Sequence, residues 1–306
     1  MQIFVTGATG FIGGAVAQAL LRAGHRVVGL ARSEEAAAQL QDRGINPYRG
    51  DLTEPSSLLE AVRASDGVIH AGTALSATGD RGVIDRAAVQ AMLDVLAGSG
   101  KPFLYTSDQL IYGSTGEGIA DEQTPLHPPP FIAWRPAVEA EVLAATERGV
   151  RAMVIRPVAV YGNNAGGMAL FLAQARQQGA AIYIGDGAAR WSTVHVDDLA
   201  ELYLRMLERA PAGTLLCASA EPSVCMRDLM EAIGQAAGVP ARSVTLDEAR
   251  QLMGQMAPVE GFTTNLQVSG EQARRLLGWQ PVRPSVLEEL RHVVDIPGDN
   301  GKLAVK

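Results

Sequence analysis

The chain has 306 residues, 47% hydrophobic and 19% charged, which supports a sizeable core and excludes general disorder. Its 26 Lys+Arg against 33 Asp+Glu give a net charge of −7, a poor match to a nucleic-acid backbone, though one phosphorylated ligand remains open to a local basic pocket. Two cysteines, Cys217 and Cys225, cannot build a disulfide framework, no Cys/His cluster has zinc-ligand spacing, and no apolar run nears the ~20 residues that span a bilayer. No metal site, nucleic-acid partner or membrane is therefore expected. The first five residues are too short for the apolar stretch of a signal peptide, so a soluble cytoplasmic protein is expected.

In chain order, residues 3–5 read as a buried strand, 11–23 as a helix stopped by Gly24, and 26–30 as a second strand. A helix over 34–43 is stopped by Gly44; a third strand precedes Asp51. Residues 57–63 read as helix, 67–70 as strand, 84–97 as helix, 103–106 as strand, 137–147 as helix and 152–155 as strand. Strands separated by single helices imply βαβ units and a parallel sheet covered on both faces. The pattern changes near residue 160, where the loop 162–167 precedes a helix over 169–178. Helices over 196–208 and 226–237 follow. The expected organisation is a dinucleotide-binding domain over 1–160 and a smaller lobe over 161–295, some of whose elements return to the first domain. A flexible tail over 296–306 completes it.

The first strand runs straight into glycines spaced G-x-x-G-x-x-G at Gly7, Gly10 and Gly13. Gly7 permits the turn out of the strand, Gly10 lets backbone approach a pyrophosphate, and Gly13 allows close helix–sheet packing. A helix start then offers free N–H groups and a positive dipole end to phosphate. The alternative, an ordinary glycine turn, does not account for its place at the head of a βαβ series. An NAD site usually ends its second strand on Asp or Glu, which accepts from the ribose 2′-OH. Here the sequence is Ala31-Arg32-Ser33, with no acid before Glu34. Arg32 can pair with a 2′-phosphate and Ser33 can add a donor, which favours NADP; otherwise Arg32 is a solvated cation. Asp51-Leu52 suits an adenine contact, or Asp51 is only a helix N-cap.

These residues resemble a known family. The stretch Thr6 to Gly13, then Asp51-Leu52, His70-Ala71-Gly72, Tyr105-Thr106-Ser107, Arg156-Pro157, Val160-Tyr161-Gly162 and Val194-His195-Val196-Asp197-Asp198-Leu199 are similar to extended short-chain dehydrogenase/reductases, the NAD(P)-dependent epimerase/dehydratase group. The likeness covers about residues 1–290 and implies an α/β Rossmann fold, a doubly wound parallel sheet with a smaller C-terminal substrate lobe. It implies cofactor contacts at Gly7, Thr9, Gly10, Phe11, Ile12, Gly13, Asp51, Leu52, Ala71, Gly72, Thr106 and Pro157. In this family a Tyr moves the proton, a Lys four residues later holds the nicotinamide ribose, and a Ser/Thr binds the substrate oxygen. Here Phe131, Arg135 and Asp108 stand at those three positions, and no Tyr-x-x-x-Lys occurs anywhere in the chain. The sequence thus resembles the atypical members that keep the cofactor loop and lack the pair.

Phe131 has no proton to give, and Arg135, on the nicotinamide ribose, is a poor proton shuttle. Proton movement is expected at Asp108, Tyr112 or a water, with Asp108 alternatively the ion-pair partner of Arg135. On the substrate side, Phe131, Arg190 and Trp191 are candidates. Arg190 would meet an anionic group or make a surface ion pair, and Trp191 would wall a pocket or pack in the core. His195 is read as structural, and residues 255–264 as a loop or lid. The expected activity is NADP(H)-dependent oxidoreduction of a small organic substrate. Rival readings are a non-redox isomerase or lyase that keeps the dinucleotide, and a non-catalytic NADP(H) sensor; a homodimer is left open.

Overall fold

The computed structural model describes residues 1–74, 80–220, 223–253 and 259–293. The expected tail, and residues 255–258 of the expected lid, lie outside them. Seven parallel strands form the central sheet: β1 (Gln2–Thr6), β2 (Arg26–Ala31), β3 (Asn46–Arg49), β4 (Gly67–His70), β5 (Pro102–Thr106), β6 (Arg151–Pro157) and, far along the chain, Leu215–Ala218. Their order is β3-β2-β1-β4-β5-β6 and then Leu215–Ala218, so direction of growth reverses between β1 and β4. That reversal opens a crevice at the carboxyl ends of the strands, where α/β sheets bind ligands.

Strand alternation explains the two-faced burial. Ile3 and Val5 of β1 join one apolar cluster with α1 (Phe11–Arg22) and α2 (Glu34–Asp42). Phe4, pointing the other way, joins a second cluster with α3 (Leu59–Ala64), α4 (Arg81–Leu96) and α5 (Arg135–Ala144). The rest of the chain contributes β7 (Ala159–Tyr161), α6 (Gly166–Gln178), β8 (Ala181–Ile184), β9 (Arg190–Trp191), β10 (Thr193–His195) and α7 (Val196–Arg209). Then come β11 (the seventh sheet strand, Leu215–Ala218), β12 (Val224–Cys225), α8 (Met226–Ala237), β13 (Ala241–Val244), α9 (Leu246–Met253), α10 (Glu271–Leu277) and α11 (Val286–Val293). α7 lays Leu199, Leu202, Tyr203 and Met206 on the α1 face of the central sheet. α6, α8 and α11 enclose a separate apolar cluster.

Several boundaries differ from expectation. The helix expected over 57–63 starts as a 3-10 segment, Pro55–Leu58, before α3. α4 starts at Arg81, because Asp80 caps it by accepting from the Gly82 amide at 2.8 Å. α5 starts at Arg135 with Pro136 in its first turn, where a missing N–H costs nothing, and its expected end, Ala145–Arg148, is 3-10. α6 starts at Gly166 rather than 169.

Beneath the crevice lies a buried ion pair. Arg156 Nε donates to both Glu139 carboxylate oxygens at 3.0 and 3.2 Å, and Arg156 NH1 donates to the Tyr112 hydroxyl at 2.7 Å. The pair ties β6 to α5 and to the Gln109–Tyr112 turn. Removing one partner strands a buried charge, so Glu139→Ala should lower the unfolding free energy by about 3–5 kcal/mol. Urea unfolding measures this. A loss under ~1 kcal/mol, typical of exposed pairs, would show that the buried pair is not needed.

Candidate active site

The glycine loop is set by close backbone approach. Gly7 has φ +73°, and a Cβ there would sit 2.5 Å from the Ala71 carbonyl oxygen and 2.7 Å from the Gly72 nitrogen. A Cβ on Gly13 would run into the Gly7 carbonyl. α1 starts after Gly10, which offers no side-chain cap, and its first turn carries no acid. The amides of Phe11, Ile12 and Gly13 have no acceptor within the helix, and Thr9 flanks them. A cradle that side chains would fill, ending on open amides and a dipole, fits a pyrophosphate.

At the end of β2, Ala31 is buried and Arg32 and Ser33 are exposed. Ser33 caps α2, accepting from the Ala36 amide at 3.1 Å, which leaves its own proton able to donate. Glu34, the first acid, faces Arg49 at 3.6 Å. Asp51 Oδ1 accepts from the Thr53 amide at 2.8 Å and hydroxyl at 2.9 Å. It shapes a turn and is not a helix N-cap, since Glu54 holds that place before Pro55–Leu58. Leu52 is buried beside it.

At the ends of β4 and β5 the crevice is polar. Ala71 and Gly72 follow β4, and the Gly72 amide donates to Thr6 Oγ1 at 3.0 Å. Thr106 Oγ1 shares a hydrogen bond with the Tyr203 hydroxyl at 2.8 Å. Arg135 NH1 donates to the Thr106 carbonyl at 2.9 Å and to the Tyr105 hydroxyl at 3.3 Å, and its guanidinium lies over the Trp134 ring at 4.7 Å. Pro157 ends β6, buried opposite Ala218.

Two catalytic expectations are corrected. Asp108 and Arg135 do not form an ion pair within 4.0 Å, because Tyr105 and the Thr106 carbonyl engage the guanidinium. Asp108 instead caps the Gln109–Tyr112 turn, accepting from the Leu110 amide at 2.9 Å. Burial pushes its carboxyl above the usual range, and the Leu110 amide and the Arg135 charge offset this only in part. Asp108 is therefore not held ionised by a partner. Tyr112 is 2% exposed, and its hydroxyl serves Arg156, the Asp121 carbonyl at 2.8 Å and Cys217 Sγ at 3.0 Å. Burial pushes that phenol up, so it pins the turn rather than delivering protons. Burial likewise pushes the Cys217 thiol up to about 12, which makes it inert near neutrality.

Phe131 is 52% exposed in the short turn Pro130–Ile132, one helical turn before Arg135. The Arg190 guanidinium is engaged by Ser223, Nε to the hydroxyl at 3.1 Å and NH2 to the carbonyl at 2.7 Å. It ties β9 to the segment before β12 and makes no ion pair among the described residues, so the expected surface ion pair is not formed there. Trp191 is half-buried, stacked on Phe262 at 5.5 Å, with its Nε1 donating to the Thr264 carbonyl at 3.1 Å. Phe262 lines a small cleft with Phe171, Tyr183, Met226 and Met230. His195 caps α7, its Nδ1 accepting from the Asp197 amide at 3.1 Å.

Sequence reasoning quoted Thr6, His70 and Tyr105 in motifs without giving their side chains a role, and missed Asp85; the four join beneath Arg135. His70 and Tyr105 stack at 5.8 Å, and Asp85 lies between their polar ends. One signal was readable. Asp85 sits at a core position of α4, among Gly82, Ala88, Val89, Met92, Leu93 and Leu96, where an acid is costly unless partnered. Among the described residues no group of His, Cys, Asp and Glu could hold a metal ion, and no helix is long and apolar enough to cross a membrane.

Residues 3–216 match the model of the NAD dependent epimerase/dehydratase family. An uncharacterized protein of Saccharomyces cerevisiae is 36% identical over 297 residues, covering 95% of this chain and 98% of its own length. A 2-alkyl-3-oxoalkanoate reductase of Stenotrophomonas maltophilia is 28% identical over 256 residues, covering 78% and 77%. Among solved structures, dTDP-glucose 4,6-dehydratase from Bacillus anthracis in complex with NAD superposes with a TM-score of 0.78, at 19% identity, over 96% of this chain and 95% of that one. The shared architecture is the dinucleotide-binding sheet. Gly7→Ala should weaken binding of NADPH and NADH alike by roughly tenfold or more, through backbone strain of about 1–3 kcal/mol. Calorimetric titration measures this, with thermal melting as the control for folding. Undiminished affinity would separate the loop from the dinucleotide.

Proposed function

The chain belongs to the NAD dependent epimerase/dehydratase family, and on that premise we propose that it is an NADP(H)-dependent reductase of a carbonyl on a small organic substrate, with Asp108 as the proton donor. The observation that carries this reading is the state of Asp108. By resemblance it stands at the place of the family's substrate-binding hydroxyl; its side chain is partly buried after β5, accepts from the Leu110 amide, makes no ion pair among the described residues, and burial pushes its carboxyl up. A carboxyl pushed up in this way keeps a proton to higher pH than an exposed acid. The S. maltophilia relative is named as a reductase of 3-oxo acids, which supports the same class of reaction.

Each half of the dinucleotide has its residues. Arg32 and Ser33 would take the 2′-phosphate, with Asp51 and Leu52 near the adenine. The α1 amides would take the pyrophosphate. The remaining half would then fall across the switch point, above β4 and β5, with Ala71, Gly72, Thr106, Arg135 and Pro157 around it. Bound there, the reduced nicotinamide would supply hydride to the carbonyl carbon. Asp108, only partly buried, would donate its proton to the carbonyl oxygen, become a carboxylate, and regain a proton from solvent. Arg135 stays charged throughout and fixes position. Phe131, exposed four residues before Arg135, would offer the substrate an apolar edge.

NADPH should bind wild type at least about tenfold more tightly than NADH, and Arg32→Ala should abolish most of that difference, since charge-assisted hydrogen bonds are worth roughly 1.5–3 kcal/mol each. Equal wild-type affinities would overturn the preference. The pH dependence has a fixed sign. A proton donor works below its pKa, so turnover of a ketone substrate should be flat at low pH and fall as pH rises through the raised Asp108 pKa. Asp108→Asn should cost about 10²-fold or more in turnover and remove that alkaline limb. A limb that persists unchanged in Asp108→Asn would assign the proton elsewhere.

A further inference from the structure

Thr6, His70 and Tyr105 occupy one rung across three adjacent strands: Thr6 is in register with His70, and His70 with Tyr105. Phe4, Val68 and Phe103, two residues earlier on each strand, face the α4 side, so the rung faces α4 as well. From α4, Asp85 meets it. All four side chains are buried, none more than 4% exposed.

Hydrogen bonds link all four side chains. Thr6 Oγ1 accepts from the Gly72 amide and shares a hydrogen bond with His70 Nδ1 at 2.7 Å. The Asp85 carboxylate can only accept, so His70 Nε2 carries a proton and donates to Asp85 Oδ1 at 3.2 Å. Asp85 Oδ2 accepts from the Tyr105 hydroxyl at 2.8 Å, and the Tyr105 oxygen accepts from Arg135 NH1 at 3.3 Å. Burial alone would push the Asp85 carboxyl up, but the hydrogen bond and charge of His70, the bond from Tyr105 and the Arg135 charge outweigh it and leave it below the usual range. Arg135 Nε is buried and has no hydrogen-bond partner among the described residues, so this guanidinium has donor capacity beyond its two protein acceptors.

We propose that Asp85 is a positioning residue of this site: acting through the Tyr105 hydroxyl, its buried carboxylate fixes the Arg135 guanidinium toward the nicotinamide ribose of NADP(H). The proposal rests on the dinucleotide reading given above. Asp85 touches neither ligand nor Arg135 directly. It holds the Tyr105 proton, which leaves the phenolic oxygen to accept from Arg135 in one orientation.

Two ligands separate this role from general damage. NADPH carries the nicotinamide ribose, and 2′,5′-ADP carries only the adenosine half with its 2′-phosphate. Both are titrated by calorimetry against wild type, Asp85→Asn, Tyr105→Phe and the double variant. Asp85→Asn and Tyr105→Phe should each weaken NADPH by about tenfold, the scale of one charge-assisted contact. 2′,5′-ADP should be unaffected. Because both variants break the same link, the double variant should bind NADPH no more weakly than the worse single one. Unchanged NADPH affinity in Tyr105→Phe, equal loss of both ligands, or additive losses would overturn the role of Asp85. If Asp85→Asn does not fold, Tyr105→Phe carries the test alone, since it keeps the ring and deletes only the hydroxyl. Wild type that binds neither ligand would defeat the dinucleotide reading itself, an outcome distinct from normal wild-type binding with indifferent variants.

Discussion

The approach of Gly7 to the Ala71–Gly72 backbone governs the rest of the site. At φ +73°, and with no room for a Cβ, the chain leaving β1 presses against the chain leaving β4. That contact draws the two strand ends together where the sheet reverses. It directs α1 so that its open amides face the crevice, and it puts the Gly72 amide on Thr6 Oγ1. Thr6 therefore has two functions. Its backbone ends β1 ahead of the ligand loop, and its side chain begins the buried chain that reaches Arg135. A change of a few tenths of an ångström at Gly7 would be felt at both ends, because close-packed interiors transmit displacement rather than absorb it.

The two carboxylates of the site sit in opposite environments, and that contrast assigns their tasks. Asp85 receives two hydrogen bonds and lies near a guanidinium, so its charge is stabilised despite burial. Asp108 receives one amide and no ion pair, so burial prevails. Titratable groups pushed apart in this way identify which acts as a fixed charge and which as a proton source. A lysine could combine both tasks, since it holds a ribose and also tunes a neighbour. The chain has only Lys101, Lys302 and Lys306. Lys101 donates to the Arg63 and Ser65 carbonyls, at the opposite end of β5 from the crevice. Arginine in place of the family lysine keeps the charge and gives up titration, so in the proposed reading positioning and proton transfer fall to different residues.

Most of the central sheet was legible because β1, β2, β4, β5 and β6 are short apolar runs separated by helices; Gly67–His70 and the helix Met226–Ala237 match their expected spans, whereas the seventh strand, Leu215–Ala218, was not expected. The 3-10 segments at Pro55–Leu58, Pro130–Ile132 and Ala145–Arg148 were not, since three or four residues carry no period. The pairings β9–β12 and β8–β13 join two- to four-residue strands from distant chain segments, which no local pattern announces. Family spacing singled out Asp108 and Arg135. It could not show that a phenol and a carbonyl would take the guanidinium first. The expected ion pair failed on that competition. Tyr112 failed for a related reason: its motif position was recognisable, while the arginine on its hydroxyl comes from a strand 44 residues away.

Energetic asymmetry explains why such networks can orient a reactive group. A satisfied buried hydrogen bond adds only about 0.5–1.5 kcal/mol, yet losing one partner exposes the other to its full desolvation cost. Thr6, His70, Asp85 and Tyr105 are linked so that turning any one of them leaves a neighbour unsatisfied. The arrangement therefore gains little net stability from its own making, and strongly disfavours every alternative orientation. The buried Arg156–Glu139 pair does the same for α5 from below, four residues after Arg135 on the same helix. Arg135 is thus held from two directions, by its own acceptors at the strand ends and by the helix that carries it. Transfer between a cofactor and a substrate carbon tolerates little error in placement, about 1 Å costing two orders of magnitude in rate. A guanidinium fixed by deep, dry and fully partnered groups meets that tolerance better than one held by a single solvent-exposed carboxylate.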